Sequence, residues 1–279
     1  MHWILQQNLI NPDTLAKMQS LLEKRGVPYT LATLIPFAHK LKYDIETPKG
    51  PLFVYGSTGI GEVAKDKGWK PGYFDDNLDY RLMLSCYQSH CLNATAVIGQ
   101  LGKVIPQWAE FFVRPVHDNK SFAGCTMDAE EFDTFRRRVD NVEKTGFVTL
   151  RMSDLVILAP LVEIYQEYRF FVIDGIVVAG SLYKTGDRVF SSVQVPPEVW
   201  AFAQARAAQW SPNRAYAIDI ACTADGLKVI EINSANSAGF YACDIGAIID
   251  AVNAHLVAPT PNPFHRVLKE YGKTPSWPG

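Results

Sequence analysis

Two hydrophobic periods alternate along the first 85 residues. Residues 3–9 lean apolar over the length of a strand, and Leu15, Met18, Leu21 and Leu22 then recur at helical spacing. Asn11 or Asp13 can cap that helix, and Gly26 ends it. Residues 29–35 and 51–55 read as further strands, so the segment predicts a small α/β unit with scope for parallel strands. Gly56-Ser-Thr-Gly59-Ile-Gly61 follows the last of them. Its order, G-x-x-G-x-G, matches neither a dinucleotide fingerprint nor the Lys-Ser/Thr ending of a nucleotide phosphate loop. A turn into a helix is the favoured reading, and the first amides of such a helix can meet an anion.

Residues 78–102 predict mostly helix with polar interruptions. From Phe111 the texture changes to paired strands. Residues 111–116 form one, which Pro115 should end because it cannot donate to a ladder, and a loop carrying Lys120 follows. Residues 128–139 predict a charge-rich helix. Residues 167–173 and 176–183 flank Asp174-Gly175, a strong hairpin signal. A two-residue turn there sets Arg169 opposite Gly180 and Glu167 opposite Leu182, with Lys184 on the face of both charges. Charges alternating along one face commonly form an exposed ion-pair ladder of little energetic weight. The other face, with Phe170 and Val172, is core.

A second hairpin pairs residues 216–222 with 227–233. A two-residue Asp225-Gly226 turn would set Asp219 opposite Ile232. A three-residue Ala224-Asp225-Gly226 turn with Gly226 left-handed sets it opposite Glu231. The second register also gathers Ile218, Ile220, Ile230 and Ile232 on one face, and is preferred for that reason. It brings Asp219, Glu231 and Asn233 together on the other face. Hard oxygen donors of this kind suit Mg²⁺, although a hairpin with one apolar and one wet face would satisfy the same pattern.

Composition narrows the field without choosing a chemistry. The chain has 279 residues, enough for two adjoining lobes; 48% are hydrophobic and 20% charged, as in an ordinary globular protein. A formal net charge of −2 gives no long-range attraction to nucleic acid or anionic membrane, so neither is expected as a partner. Five cysteines without a Cys-x-x-Cys pair argue against a disulfide framework, and no leader-like opening or membrane-length apolar run is present. A cytoplasmic protein is the expectation. No Ser-His-Asp or Cys-His order and no zinc-like histidine spacing stands out. His117, beside Lys120, is an outside candidate for a base, whereas His255 and His265 lie too near the proline-rich end. Arg114 and Lys120 offer a rigid fork and a mobile point charge to a phosphate chain.

Taken together, these segments resemble an ATP-grasp domain over roughly residues 90–255, with the N-terminal unit similar to the small domain that precedes it. The resemblance implies an α/β (α+β) fold of two α+β lobes with antiparallel sheets after a small α/β domain. The divisions expected are 1–85, 86–258 and a proline-rich tail at 259–279. It implies ATP and Mg²⁺ as cofactors, with Asp219, Glu231 and Asn233 as metal ligands. Arg114-Pro115 stands where the family usually has Lys-Pro, a feature similar to a bacterial and phage clade. Arg114, Lys120 and Lys184 would then face the phosphates, Glu163 and Glu167 the adenine and ribose, and Arg169 the transferred phosphate or substrate. The segment 234–241 follows the metal motif as the family's substrate-side loop does. Two features depart from the pattern: residues 117–121 lack the usual glycines, and the interval from Glu163 to Glu167 is short. The activity implied is a carboxylate–amine ligase working through an acyl phosphate on an amino acid or peptide. A silent ATP-binding regulatory module, or a kinase stopping at phosphorylation, would use the same residues.

Overall fold

The computed structural model describes residues 1–36, 38–116, 122–146 and 149–257. The first unit runs β1 (His2–Gln6), α1 (Pro12–Lys24), β2 (Tyr29–Ala32), a short arm of β3 (Leu34–Ile35) and β4 (Lys40–Leu41), β5 (Leu52–Tyr55), α2 (Thr58–Asp66) and β6 (Pro71–Gly72). Strands β2, β1, β5 and β6 form a parallel sheet in that order. Asn11 rather than Asp13 caps α1, its side chain accepting from the amides of Asp13 and Thr14. The strand expected over 29–35 breaks after Ala32, because Leu34 and Ile35 turn away to pair with Leu41 and Lys40. The glycine-rich segment at 56–61 makes the expected turn into α2.

Residues 78–102 are far less helical than their composition predicts. They hold α3 (Tyr80–Tyr87), one 3₁₀ turn at Gln88–His90, and a strand, β7 (Val97–Gln100). Gln88 adopts a positive φ of 51°, which ends the helix. Next come β8 (Glu110–Pro115), β9 (Cys125–Asp128), α4 (Ala129–Glu143) and β10 (Leu155–Pro160). These strands make an antiparallel sheet in the order β7-β10-β8-β9. Helix α4 starts on an Asp128–Glu131 capping box and packs Phe132 and Val139 against Phe111 and Leu158.

The remaining elements are β11 (Gln166–Ile173), β12 (Ile176–Thr185), β13 (Arg188–Ser192), α5 (Pro197–Gln209), β14 (Ala215–Thr223), β15 (Gly226–Ser234) and α6 (Ile245–His255). They build a five-stranded antiparallel sheet, β13-β12-β11-β14-β15. One face buries Phe170, Val172, Ile218 and Ile220 against α3 and α5. On the other, Phe171, Ile173 and Ala217 join Trp3, Leu5 and Phe53 of the N-terminal sheet and the apolar side of α6 in one continuous core. Each of the valine, leucine, isoleucine and phenylalanine side chains contributes about 1.5–3 kcal/mol when fully buried. Among the described residues no helix is long and apolar enough to cross a membrane.

Candidate functional site

Strand irregularities decide which side chains are functional candidates. The β11–β12 turn is the expected two-residue one, with Asp174 and Gly175 both at positive φ. The pairing then slips at Val178 and again at Tyr183. Arg169 therefore stands opposite Ser181 rather than Gly180, and Glu167 opposite Lys184 rather than Leu182. In the second hairpin Thr223 pairs with Gly226, so the loop is only Ala224-Asp225, shorter than expected, while Gly226 is left-handed as expected at φ 90°. The extra residue is Ile230, bulged between Val229, which faces Ile220, and Glu231, which faces Asp219. The two carboxylates are thus opposed as expected, through a bulge within the strand instead of a longer turn. Ile230 leaves the apolar face, where Val229 packs with Ile218 and Ile220, and becomes part of a cleft wall.

That cleft, of ≈ 830 Å³, opens between the β7-β10-β8-β9 sheet and the five-stranded sheet. Leu161, Val162 and Ile164, on the crossing from β10 to β11, line it together with Phe112 and Phe122, giving an apolar wall. Arg114, Glu167, Lys184 and Glu231 line it too and supply charge. An apolar slot with a few convergent charged groups is the usual form of a small-molecule site.

Each acid at this site has a cation of its own. Arg169 Nε and Nη2 donate to the two oxygens of Asp219 at 2.8 and 2.6 Å, and both residues are buried. Lys184 Nζ donates to Glu167 Oε1 at 2.8 Å, while Tyr183 Oη donates to Oε2 at 2.6 Å. Arg114 Nη1 donates to Glu231 Oε2 at 3.2 Å, and Asn233 Nδ2 donates to Oε1 at 3.1 Å. Burial lifts the Asp219 carboxyl to about 6 against the lowering pull of Arg169. The Glu167 hydrogen bond holds Lys184 more firmly protonated. The Glu167–Lys184 pair is not the exposed ladder that its sequence pattern predicts, since Glu167 is buried and both residues face the cleft.

Of the residues singled out from sequence, Arg114, Glu167, Arg169, Lys184, Asp219, Glu231 and Asn233 come together around this set of contacts. Glu163 does not: it is exposed and is not part of the cleft wall, although its neighbours Val162 and Ile164 are. Lys120 and His117 lie outside the described residues, as does the tail at 259–279. Sequence reasoning overlooked Tyr80 and Tyr183, and named Tyr241 only as part of the substrate-side loop. The Tyr80 ring lies 4.8 Å beneath the Arg114 guanidinium, and burial pushes its hydroxyl up to about 12. Tyr183 and Tyr241 stack at 4.6 Å with Arg169 over both rings. Alternation from Lys184 assigns Tyr183 to the opposite face, so only the bulge reveals it.

The donors at Asp219, Glu231 and Asn233 fit a hard divalent cation. Arginine takes one lone-pair position on each Asp219 oxygen and leaves others available, and the Asn233 carbonyl oxygen is not used by its bond to Glu231. Among the described residues no three His, Cys, Asp or Glu side chains gather as a metal cage. The fit is therefore to an ion that shares its coordination with water and phosphate, as Mg²⁺ does.

The architecture of two sheets closing on this cleft is shared with solved ATP-grasp structures. The ATP-grasp ligase PsnB, determined with a minimal precursor, aligns with a TM-score of 0.56 and 16% identity over 91% of this chain and 98% of its own. D-cycloserine synthetase DcsG aligns at 0.59 and 13%, over 98% and 99%. D-alanine–D-alanine ligase from Bacillus anthracis, determined with ATP, aligns at 0.56 and 13%, over 97% and 99%. No curated protein matches the sequence. The fold is that of an ATP-grasp protein. Residues 42–252 match the ATP-grasp domain of the R(2)K clade, family 3, and the chain belongs to that family. ATP and Mg²⁺ are the cofactors of ATP-grasp enzymes.

Proposed function

We propose that the protein is an ATP- and Mg²⁺-dependent carboxylate–amine ligase that works through an acyl phosphate. The observation that carries this reading is a pair of cation–carboxylate contacts on the cleft wall, Arg114–Glu231 and Lys184–Glu167, with the buried Arg169–Asp219 pair directly beside Glu231 in the sheet. A polyphosphate with a divalent cation offers each sign its complement. Arg114 and Lys184 would meet the phosphates, a role the resemblance also gives Lys120, while Asp219, Glu231 and Asn233 would hold the metal. Mg²⁺ held there would supply positive charge to the phosphates of ATP. Leu161, Val162 and Ile164 supply an apolar wall for the base. Glu167 is better placed than Glu163 to meet the ribose, because only Glu167 faces the cleft.

Arg169, between Asp219 and the loop 234–241, lies on the acceptor side and steadies charge on the transferring group. The substrate carboxylate attacks the γ-phosphorus and ADP leaves. An amine then attacks the acyl carbon, the C–O bond to phosphate breaks, and the amine gives up a proton. Amino acid or peptide substrates are supported by the D-alanine ligase and by PsnB, one solved structure of which holds a precursor peptide.

The test is product analysis by mass spectrometry with Mg·ATP, a panel of amino acids and peptides, and hydroxylamine as a general acyl-phosphate trap. Hydroxamate formation with stoichiometric ADP is expected, and Asp219→Asn or Glu231→Gln should abolish it. ADP with a stable phosphorylated product would instead mark a kinase. Nucleotide binding with no ADP across the whole panel would mark a silent regulatory module.

A further inference from the structure

We propose that Tyr183 is a positioning residue that couples the nucleotide side of the cleft to the acceptor loop 234–241, so that filling one orders the other. This rests on the nucleotide reading above. Tyr183 is the residue at which β12 slips against β11, and β12 also slips against β13 between Leu182 and Lys184. The irregularity puts two successive side chains, Tyr183 and Lys184, on the cleft wall, and both reach the same carboxylate: the tyrosine hydroxyl Glu167 Oε2, the lysine Oε1. Bulges next to functional sites commonly re-aim a side chain in this way.

The other end of Tyr183 touches the loop. Its ring lies nearly parallel to that of Tyr241, with centroids 4.6 Å apart and planes 10° from parallel. The Arg169 guanidinium sits 5.6 Å from the Tyr183 centroid and 5.0 Å from that of Tyr241, while it grips Asp219 and donates to Gly239 O. Tyr241 has a φ of 49°, uncommon for a bulky side chain, and is 46% exposed. Strained backbone persists where the surroundings hold it; here buried Phe240 and Cys243 flank Tyr241, and its ring rests on that of Tyr183. Burial and the neighbouring carboxylates keep the Tyr183 hydroxyl protonated, so it remains a donor.

The coupling follows from the shared carboxylate. When Lys184 turns from Glu167 to phosphate, Tyr183 becomes the remaining donor to Glu167 and its ring is fixed more tightly. A fixed Tyr183 is a better platform for Tyr241. By linkage the effect is reciprocal, so an ordered loop favours nucleotide by the same factor.

Amide hydrogen exchange of the full chain, with and without a non-hydrolysable ATP analogue and Mg²⁺, tests this. In the unmodified protein the analogue should slow exchange at residues 238–241 by about fivefold or more, the lower range of ordinary couplings. Tyr241→Ala and Tyr183→Leu should each remove the slowing, while the analogue still binds. Tyr183→Phe should keep the stack and the loop's basal protection but lose the nucleotide-dependent part. A purely structural role would instead raise exchange throughout β12 with or without nucleotide. Slowing that survives in Tyr183→Phe and Tyr241→Ala overturns the proposal, and so does analogue binding to the unmodified protein without any slowing. Should Tyr183→Leu fail to fold, those two variants decide. If the unmodified protein does not bind the analogue at all, the nucleotide reading itself falls and takes this inference with it.

Discussion

Arg169 and Asp219 stand directly opposite each other on β11 and β14, and the guanidinium fork holds both carboxylate oxygens, at 2.8 and 2.6 Å. The carboxylate is 1% exposed and the arginine 8%. A pair so buried contributes little net stability against well-packed apolar groups, because both charges have left water; removing one partner is what costs. Its placement beside the opposed Glu231 points to a role in the chemistry of the site.

Arg169→Met should therefore lower stability by about 3 kcal/mol, since Asp219 is left buried without a counter-charge. The double variant Arg169→Met/Asp219→Leu should recover most of that loss while remaining inactive. Urea denaturation of the two single variants and the double variant measures the coupling. Additive losses would mean that the pair does not act as a unit.

Lys184→Met should weaken binding of Mg·ATP about tenfold, the loss of one charge-assisted contact of roughly 1.5 kcal/mol. Stability should fall by about 1–3 kcal/mol, because buried Glu167 loses its charged partner and keeps the Tyr183 hydroxyl as a donor. Isothermal titration calorimetry beside thermal melting separates the two. Unchanged nucleotide affinity would leave Lys184 as a structural partner of Glu167 alone.

Gly180 sits opposite Phe170 in the β11–β12 ladder, and the phenyl ring lies across it. A Cβ at this position would come within 2.5 Å of Phe170 Cδ1 and 3.1 Å of Trp200 Cζ3, and Phe170 is fully buried with no ready escape. Gly180→Ala should cost about 1–3 kcal/mol through overpacking. A lowered melting temperature with intact nucleotide binding is the expected result.

Burial raises the thiol of Cys91 to about 12 and that of Cys243 to about 11. Alkylation needs the thiolate, so iodoacetamide at pH 8 should modify the partly buried Cys125 and Cys222 first and spare Cys91 and Cys243 until the chain unfolds. The sign for stability follows. These thiols titrate higher folded than unfolded, so their contribution is whole below the ordinary thiol range and is lost as pH rises through about 11 to 12. Peptide mass mapping of the native and unfolded protein checks the order of labelling.

How much of this is legible in the sequence depends on the range of the contact that sets it. The Asp174-Gly175 turn and the apolar alternation of Phe170, Val172, Ile218 and Ile220 are local signals, and they predict both hairpins and the face that forms the core. The opposition of Asp219 and Glu231 is also predicted, but through the wrong device, because a turn one residue longer and a bulge at Ile230 yield the same pairing. Slips at Val178 and Tyr183 carry no local signature, and alternation alone misplaces Arg169 by one residue and Glu167 by two. The Arg169–Asp219 grip is a pairing across fifty residues of chain. Strand β10, central to its sheet, shows as an apolar run with no period to distinguish it from a helical segment.

Asn236 has its own consequence. Wholly buried, it donates to the carbonyls of Val54 and Gly72, accepts from the Phe74 amide with its side chain, and accepts from the Gly56 amide with its backbone. This one residue rivets the N-terminal unit to the chain that leaves β15, over a core the two already share. Whatever hinge opens the cleft must leave that joint closed. If the cleft opens, the part left to move is the lobe of β7, β8, β9 and β10, which the chain joins to the rest only at 93–96 and 161–165.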